Sequence, residues 1–550
     1  MYALFTKGAQ WNEQIDLYDE VKNNENFYIG KQWEGVQANG NPTPVFNVLK
    51  RVASYQVAKI TADNFAIACS PMAMSQKYNK REIEQICDVC NKQFATLIER
   101  NKLATMMRKF VRNAAIDGDG ATYSYWDPDI ETGQEARGDI VTELIENTRV
   151  LFGNPNVNEV QRQPWIIITT RQQADQAKRT AKKNGQDPDV IMPDQGINES
   201  NYDALSDDRV TVLVYFARDP ETKHIWSGKY TQGGVVEPFR DIGLKKYPIT
   251  WMNWDFVQDC YHGHALISQL IPNQVFINQM FALVMRSQMT TAFPKPIYDK
   301  TRISHWDTGV GKAIGVNGGD INSVAKILDP APISPQVAQF IGMAIDYTQS
   351  LMGASDAALG DTRPDNTSAI IALQRASDAP LEIPKQNTYQ AIEDLAVIYL
   401  DFMREYYGQR YTDVKFLSGD EQNNQPLGMA IPEQNFNTLF DFSMLNDVPM
   451  SLKIDVGPSS FWSEITTVQT LDNLLRLNVI SLDEYLERMP DNYISKKQDL
   501  IDKRRGIGQA GAPTPPGGSQ IVDTTGPEPP VQGGPGYGQL QRALNNPGAA

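Results

Sequence analysis

The stretch that decides the fold runs from residue 261 to residue 366. It begins Tyr261-His262-Gly263-His264 and continues over residues 265–291 as ALISQLIPNQVFINQMFALVMRSQMTT. Apolar residues recur there at a helical rather than a strand period: Leu266, Leu270, Ile277, Phe281, Val284 and Met285. The pattern predicts a helix from Asn273 to Thr291, about 28 Å long at about 1.5 Å per residue. Its polar face is almost uncharged, so we expect other helices to pack on most of its sides.

A compact insert separates this helix from a second one. Pro294 and Pro296 end the first helix, residues 297–299 (Ile-Tyr-Asp) predict a short strand, and the glycines that follow predict turns. Residues 334–352, SPQVAQFIGMAIDYTQSLM, predict the second helix, with Ser334 as its cap. The fold-deciding unit is therefore a pair of helices that flank an irregular insert.

After the second helix, a loop rich in Asp, Gly and Ala leads to Asn366. A third helix is predicted from Thr367 to about Gly408, with a kink at Pro380 and Pro384. Elsewhere helical and strand periods alternate, which predicts an α+β protein. The other predicted helical segments include 12–28, 46–64, 81–117 and 172–183, and alternating strand patterns occupy much of 121–170 and 210–239.

The order of helix, insert, helix, loop and a further helix opening Thr367-Ser368-Ala369-Ile370 resembles the portal proteins of tailed bacteriophages. Near the N-terminus, Phe27-Tyr28, Gly30, Gln32-Trp33 and Asn47 resemble the opening of many such proteins, as does Tyr261-His262-Gly263 before the first long helix. The resemblance implies an α+β portal fold with an α/β wing, long stem helices, a clip, a kinked helix and a helical crown. Such subunits assemble as a closed ring of about twelve.

The resemblance also divides the chain into parts. These are N-terminal helices and a β-rich wing (1–260), the first stem helix (261–292), the clip (293–332), the second stem helix (333–353), a tunnel loop (354–366), the kinked helix with the remaining wing (367–460), the crown (461–505) and a tail (506–550). The tail is dominated by Gly, Pro, Gln and Ala, a composition that cannot offset the chain entropy of folding, so we expect it to be disordered.

Three sets of residues acquire roles from the resemblance. Those that face DNA in the tunnel loop would be Ser355, Asp356, Asp361, Arg363, Asp365 and Asn366. Those of the clip that contact a motor or adaptor would be Lys295, Lys300, Arg302, Lys312 and Lys326. Those that pack stem against stem would be Gln274, Asn278, Gln279, Arg286 and Gln288.

The implied function is a channel at one capsid vertex, through which double-stranded viral DNA is packaged and later ejected. The implied partners are further copies of the chain, the DNA, the large terminase, the major capsid and scaffold proteins, and head-completion or tail adaptor proteins. The subunit would catalyse nothing and would need no cofactor or metal. It would lie in the virion after assembly in the host bacterial cytoplasm.

Charge and composition agree with this role. The 550 residues carry a formal net charge of −15. This charge argues against a protein that binds nucleic acid tightly through its phosphates, but it is compatible with a channel along which DNA slides. An acidic balance also serves solubility alone. The clearest basic cluster, Lys178, Arg179, Lys182 and Lys183, is typical of a solvated helix end.

Cysteine usage and hydropathy predict the compartment. Four cysteines are too few for a disulfide framework, which favours a reducing environment. No apolar run approaches the roughly 18 residues of a membrane span, and the N-terminus lacks a signal-peptide pattern. We therefore expect a soluble intracellular protein without a membrane partner.

Two alternatives belong to other classes. The first is a metal-dependent hydrolase or nuclease that would use His262 with His264, and Cys87 with Cys90, but neither pair has the further ligands that a zinc site needs.

A nucleotide-hydrolysing motor is not indicated either. Gly309, Gly311 and Lys312 do not form a phosphate loop, because Ala313 occupies the place of its Ser or Thr. The second alternative is another phage connector, one that forms rings without the helix–insert–helix arrangement.

Overall fold

The computed structural model describes residues 1–62, 65–72, 78, 80–134, 136–194, 208–291, 295–307, 314–320, 323–328, 335–351, 379–415, 435–448, 450–456, 471–477, 481–482, 485–486 and 489. The helices are α1 (Tyr2–Gln14), α2 (Leu17–Ile29), α3 (Val48–Ile60), α4 (Lys80–Arg100), α5 (Leu103–Asp117), α6 (Ala174–Lys183), α7 (Leu266–Thr291), α8 (Pro335–Leu351) and α9 (Glu382–Tyr406).

The strands are β1 (Phe65–Pro71), β2 (Asp119–Asp127), β3 (Asp139–Ile145), β4 (Val150–Phe152), β5 (Trp165–Gln173), β6 (Arg209–Arg218), β7 (Ile225–Tyr230), β8 (Val235–Asp241), β9 (Ile249–Asn253), β10 (Lys295–Tyr298), β11 (Ala325–Leu328), β12 (Gln409–Lys415), β13 (Asn435–Asp441) and β14 (Met450–Val456).

Two predicted helices are each divided in the structure. The helix predicted over 12–28 is two helices, α1 and α2, because Asp16 adopts a left-handed φ of 57° between them. The stretch 81–117 is likewise α4 and α5, with Lys102 at φ 50°. A non-glycine residue in this conformation cannot continue a right-handed helix, so the chain turns. Neither break carries a Gly or Pro at its pivot.

The strands form antiparallel sheets. A five-stranded sheet has the order β4-β5-β6-β7-β8, and a three-stranded sheet has the order β3-β2-β9. Helix α6 covers part of the larger sheet through Ala174, Ala177 and Ala181, which are fully or nearly fully buried. The smaller sheet packs against α5 and α9, and the start of β2 is buried at Asp119.

One pairing joins remote parts of the chain. Strand β1 lies antiparallel to β14, with Phe65 opposite Val456 and Pro71 opposite Met450. The sequence analysis did not predict β1, and its pairing with β14 joins segments about 385 positions apart, which no local pattern can indicate. Helix α4 packs on this sheet and connects it to the main core.

Helix α7 begins at Leu266, earlier than the predicted Asn273, and contains Pro272. It packs against α8. Between them in sequence, β10 and β11 form an antiparallel pair in which Lys295 lies opposite Leu328. Helix α9 follows a short 3₁₀ turn at Ala379–Leu381 and has Pro384 in its first turn, a position that tolerates proline. The predicted segment 367–378 lies outside the described residues.

The chain divides into two compact units, 1–461 and 462–550. In the second unit, Tyr485 donates a hydrogen bond of 2.6 Å to Asp472 Oδ1, and Leu471 and Met489 are buried. The remainder of the predicted crown and the predicted tail lie outside the described residues.

Candidate functional site around the long helix pair

A buried carboxylate anchors the turn that leads into α7. Asp119, the first residue of β2, is fully buried at its side chain, and its Oδ2 lies 2.6 Å from Nδ1 of His262. Its Oδ1 accepts hydrogen bonds from the backbone N–H of Gly263 (2.7 Å) and from Nδ2 of Asn253 (2.8 Å). One side chain thus joins β2, β9 and the turn before α7.

Two glycines allow this turn to approach β2 closely. Gly118 has φ 94°, and a Cβ atom there would lie 2.5 Å from the carbonyl oxygen of Gly263. Only glycine meets both conditions, the left-handed backbone and the close approach. The Asp117-Gly118-Asp119-Gly120 run therefore acts as a structural pivot, and the spacing alone did not reveal this role.

Aromatic packing supports the same turn from the N-terminus. Tyr261 stacks between Trp11 (ring centroids 5.1 Å apart) and Phe152 (4.6 Å). Its hydroxyl donates to Oδ1 of Asn12 (3.1 Å), and burial raises the pKa of Tyr261 well above its ordinary value. The start of α7 is therefore held inside the core of its own chain.

The polar residues of α7 have specific partners within the chain. Oε1 of Gln274 accepts hydrogen bonds from the backbone N–H groups of Val48 (3.0 Å) and Leu49 (3.2 Å), the first two residues of α3. Nε2 of Gln274 donates to the carbonyl of Phe46 (2.7 Å) and to Oδ1 of Asn278 (3.0 Å). A side chain of α7 thus satisfies the N-terminal donors of α3, which no helical carbonyl can reach.

Asn278 continues this network. Its Nδ2 donates to Oε1 of Gln32 at 2.6 Å, and Gln32 in turn donates to the carbonyl of Phe27. Gln274 and Asn278 are 1% and 3% exposed, so their contacts are made within one subunit. Of the predicted stem-packing residues, Gln279, Arg286 and Gln288 are exposed. Their contact with a neighbouring subunit stays a prediction.

Helices α7 and α8 also expose a group of large apolar side chains. Large hydrophobic side chains are exposed at 40–64% on the two helices: Phe276, Leu283, Met285, Met289, Phe340, Met343 and Tyr347. Single exposed apolar residues are ordinary, whereas a group on two adjacent helices indicates an interaction surface. We call these seven residues the stem patch.

The hairpin of β10 and β11 carries the predicted clip residues. Lys300 and Lys326 are exposed, and Arg302 is held by Ser323, to whose Oγ its Nη1 donates (3.3 Å), and by Asp299 (3.7 Å from Nε). Lys295 lies in β10, and Lys312 lies outside the described residues. Hydrogen bonds from Thr301 lower the pKa of Asp299, so the Asp299 carboxylate in this turn stays negatively charged.

The predicted tunnel loop, with Ser355, Asp356, Asp361, Arg363, Asp365 and Asn366, lies outside the described residues. Its role is therefore untested.

The residues of the metal alternative are not assembled as a site. His262 is buried beside Asp119, while the side chain of His264 is 45% exposed and lies 4.0 Å from Glu20. A hydrogen bond to Cys69 and burial raise the pKa of the Cys87 thiol above its ordinary value. Across the described residues, no cluster of three His, Cys, Asp or Glu has metal-binding geometry.

A comparison with protein families matches residues 8–476 to the phage P22-like portal proteins. The chain belongs to the P22-like phage portal protein family. The match covers most of the chain and includes the α7–hairpin–α8 unit. A search of the curated proteins found no match.

Family membership supplies the function. This portal subunit serves as a phage connector for DNA packaging, assembles with itself as a ring and works with capsid and packaging partners at a vertex of the virion. Proteins of the family are generally structural rather than enzymatic. Among the helices that the structure describes, none combines the length and apolarity of a bilayer span.

Proposed function

We propose that the stem patch is the surface through which portal subunits contact one another around the ring. The observation that carries this proposal is the apolar exposure of α7 and α8 beside a polar network that is already complete within the chain. Burial of apolar area contributes about 25 cal/mol per Å², so seven large side chains repeated around a closed ring would stabilise it strongly.

The ring would contain about twelve subunits, the number that the resemblance to tailed-phage portal proteins implies, and a heterologous contact that repeats with a fixed rotation would close it. The N-terminal helices and the sheets (1–260) would form its wing, and residues 461–505 its crown. Residues 261–292 and 333–353 would form the stem, with 367–460 as the helix and remaining wing that follow the tunnel loop.

The β10–β11 hairpin and its surroundings (293–332) would be the clip that meets the large terminase during packaging. Exposed Lys300 and Lys326 support this role, because their positive charges would attract acidic groups on the docking surface of the terminase. After packaging, head-completion or tail adaptor proteins would occupy the same end. Scaffold and major capsid proteins would contact the ring while it assembles in the bacterial cytoplasm.

Residues 354–366 would line the channel and face the DNA. Their acidic composition, with Asp356, Asp361 and Asp365 against Arg363, would let a duplex slide without strong attachment.

The decisive measurement is the mass and symmetry of the purified protein, by light scattering and then by negative-stain class averages. We expect a ring of about twelve subunits with a central hole. A stable monomer that also fails to form rings with its scaffold protein would overturn the proposal. Terminase binding by the ring, compared with binding by a Lys300→Gln/Lys326→Gln variant, tests the clip separately.

A further inference from the structure

Two adjoining cavities that share lining residues form a groove along the contact between α3 and α5. The part nearest Tyr28 has a volume of about 340 Å³, with Ser54 and Ala58 of α3 on one side and Arg108 and Lys109 of α5 on the other. A second part of about 570 Å³ shares Ala58 and Arg108 with the first and reaches Tyr389 of α9. The α5 side of the first part carries Arg108, Lys109 and Arg112, and Arg108 is the one cation among the described residues that line the second part, whose lining is mostly apolar.

The two helices that flank the groove are basic in a chain that is acidic as a whole. Helix α3 contains Lys50, Arg51 and Lys59 and no acidic residue. Helix α5 contains Arg108, Lys109 and Arg112, and its one acid is Asp117. The full chain, by contrast, has 51 basic and 66 acidic residues. Among the described residues that line the two parts of the groove, none is an acid.

Half of the six cations on these two helices, Lys50, Arg108 and Lys109, are available to a ligand. Arg112 is paired with Glu25 of α2 at 2.7 Å and 2.8 Å, so it contributes little net charge. Lys50, Arg108 and Lys109 are exposed, and no carboxylate in the described residues lies within ion-pair distance of them. Burial, and next the nearby Glu25 charge, raise the pKa of Asp117 to about 7, which withholds part of the one negative charge on α5.

The spacing of the cations suits a regular polyanion. Arg108 and Arg112 are one helical turn apart, about 6 Å along α5, with Lys109 between them on the same exposed stripe. At one end, the Tyr28 ring contacts both Lys50 (5.4 Å from its centroid) and Arg112 (5.0 Å), which fixes the direction of these side chains. From Ser54 to Thr61, α3 rises about 10 Å, a length that spans about three phosphates of one strand.

We propose that the α3–α5 groove binds the sugar–phosphate backbone of double-stranded DNA, at a place separate from the tunnel loop. Duplex DNA is the polyanion that a portal handles, and it presents phosphates at regular intervals without any need for sequence recognition. The proposal rests on the family's function but not on the number of subunits in the ring. It also reconciles an acidic chain with a local DNA contact, because the cations are concentrated on two packed helices.

The test compares DNA binding by assembled rings of the full-length protein over a range of salt. A fluorescently labelled linear duplex of arbitrary sequence is the probe, and anisotropy is read between about 50 mM and about 200 mM salt. In Arg108→Gln/Lys109→Gln, the slope of log affinity against log salt should shrink by about 2 for each subunit that contacts the DNA. The charge-preserving Arg108→Lys/Lys109→Arg variant should keep the original slope.

A matched control removes two exposed lysines from the other basic helix, as Lys182→Gln/Lys183→Gln on α6. An unchanged slope in this control, with a reduced slope in the groove variant, supports the proposal. Equal losses in both variants would mean that only total charge matters, and would overturn it. So would wild-type rings that do not bind the duplex.

A third result would assign the groove to a different occupant. If the Arg108→Gln/Lys109→Gln protein no longer forms rings, the groove contacts an acidic surface of a second copy, and the DNA proposal is wrong. Negative-stain averages of the same samples give this result directly. Failure of the ring proposal is distinguishable, because wild-type protein would then also lack rings.

Discussion

The two ends of α7 differ in what they contact. At its start, Gln274 and Asn278 are almost fully buried and each makes several hydrogen bonds within the chain. Toward its end, Leu283 and Met289 are 59% and 64% exposed. A helix that looks uniform in sequence is therefore a core element at one end and a surface element at the other. Substitutions in the buried and exposed regions test this contrast, with the largest expected effect on the free energy of unfolding of the subunit first and the smallest last.

The largest effect is expected for Asp119→Ala at the base of α7. The substitution leaves His262, the Gly263 N–H and the Asn253 amide buried with fewer partners, which should lower the free energy of unfolding by about 3–5 kcal/mol. Chemical denaturation followed by circular dichroism measures it. The exposed Asp175→Ala on α6 is the control and should change stability by less than about 0.5 kcal/mol. Equal effects of the two substitutions would refute the anchoring role.

Gln274→Leu should lower the free energy of unfolding by about 2–3 kcal/mol, because the N–H groups of Val48 and Leu49 lose their acceptor at the start of α3. Hydrogen exchange at these two amides should become faster than in the wild type. Gln279→Leu is the matched control, because Gln279 is exposed and lies about one and a half turns further along the same helix. This substitution should leave hydrogen exchange at the start of α3 unchanged.

Asp117→Asn should alter how stability depends on pH. The folded pKa of Asp117 is raised from 3.8 to about 7 by burial and by the nearby Glu25 charge, so the wild type loses stability as pH rises through the interval from about 4 to about 7. Above that interval the Asn variant should be more stable than the wild type by about 2–4 kcal/mol, and below it the two should agree. Urea denaturation at several pH values checks this, and parallel pH curves would contradict it.

The smallest effect on the subunit is expected for Leu283→Lys, at the exposed end of α7. The free energy of unfolding should change by less than about 0.5 kcal/mol, because the Leu283 side chain is 59% exposed and little apolar contact within its own chain is lost when it is replaced. Ring formation, however, should be lost, because a charge would be buried in the proposed subunit contact. Light scattering of the folded variant reports this, and normal rings would show that the stem patch faces solvent.

Much of the secondary structure followed from local patterns. The period of α7, the Asn47 side chain that accepts from Lys50 N–H at the start of α3, and the alternation in β5 and β6 are all properties of neighbouring residues. The breaks at Asp16 and Lys102 were not predicted, because their left-handed backbones are imposed by packing of the helices on either side rather than by Gly or Pro.

The candidate site also has a part that the sequence predicted and a part that it did not. The lysines near the β10–β11 hairpin and the apolar faces of α7 and α8 could be placed in their segments from sequence, and the family match agrees with the portal function that the order of elements indicated. The backbone partners of Gln274 could not be predicted, since they lie 225 or more positions away in the chain. The sequence suggested that the amides on α7 pack between subunits, and the structure places two of them inside one subunit.

What the sequence by itself determined is the order of helices, strands and turns, because hydrophobic period and turn residues act over a few positions. Only the tertiary structure decided that Asp119 meets His262 and Gly263, that β1 pairs with β14, and that α3 and α5 bring their cations to one groove. These contacts join distant positions, and they form because burial of apolar area and pairing of buried polar groups depend on which surfaces meet when the chain folds.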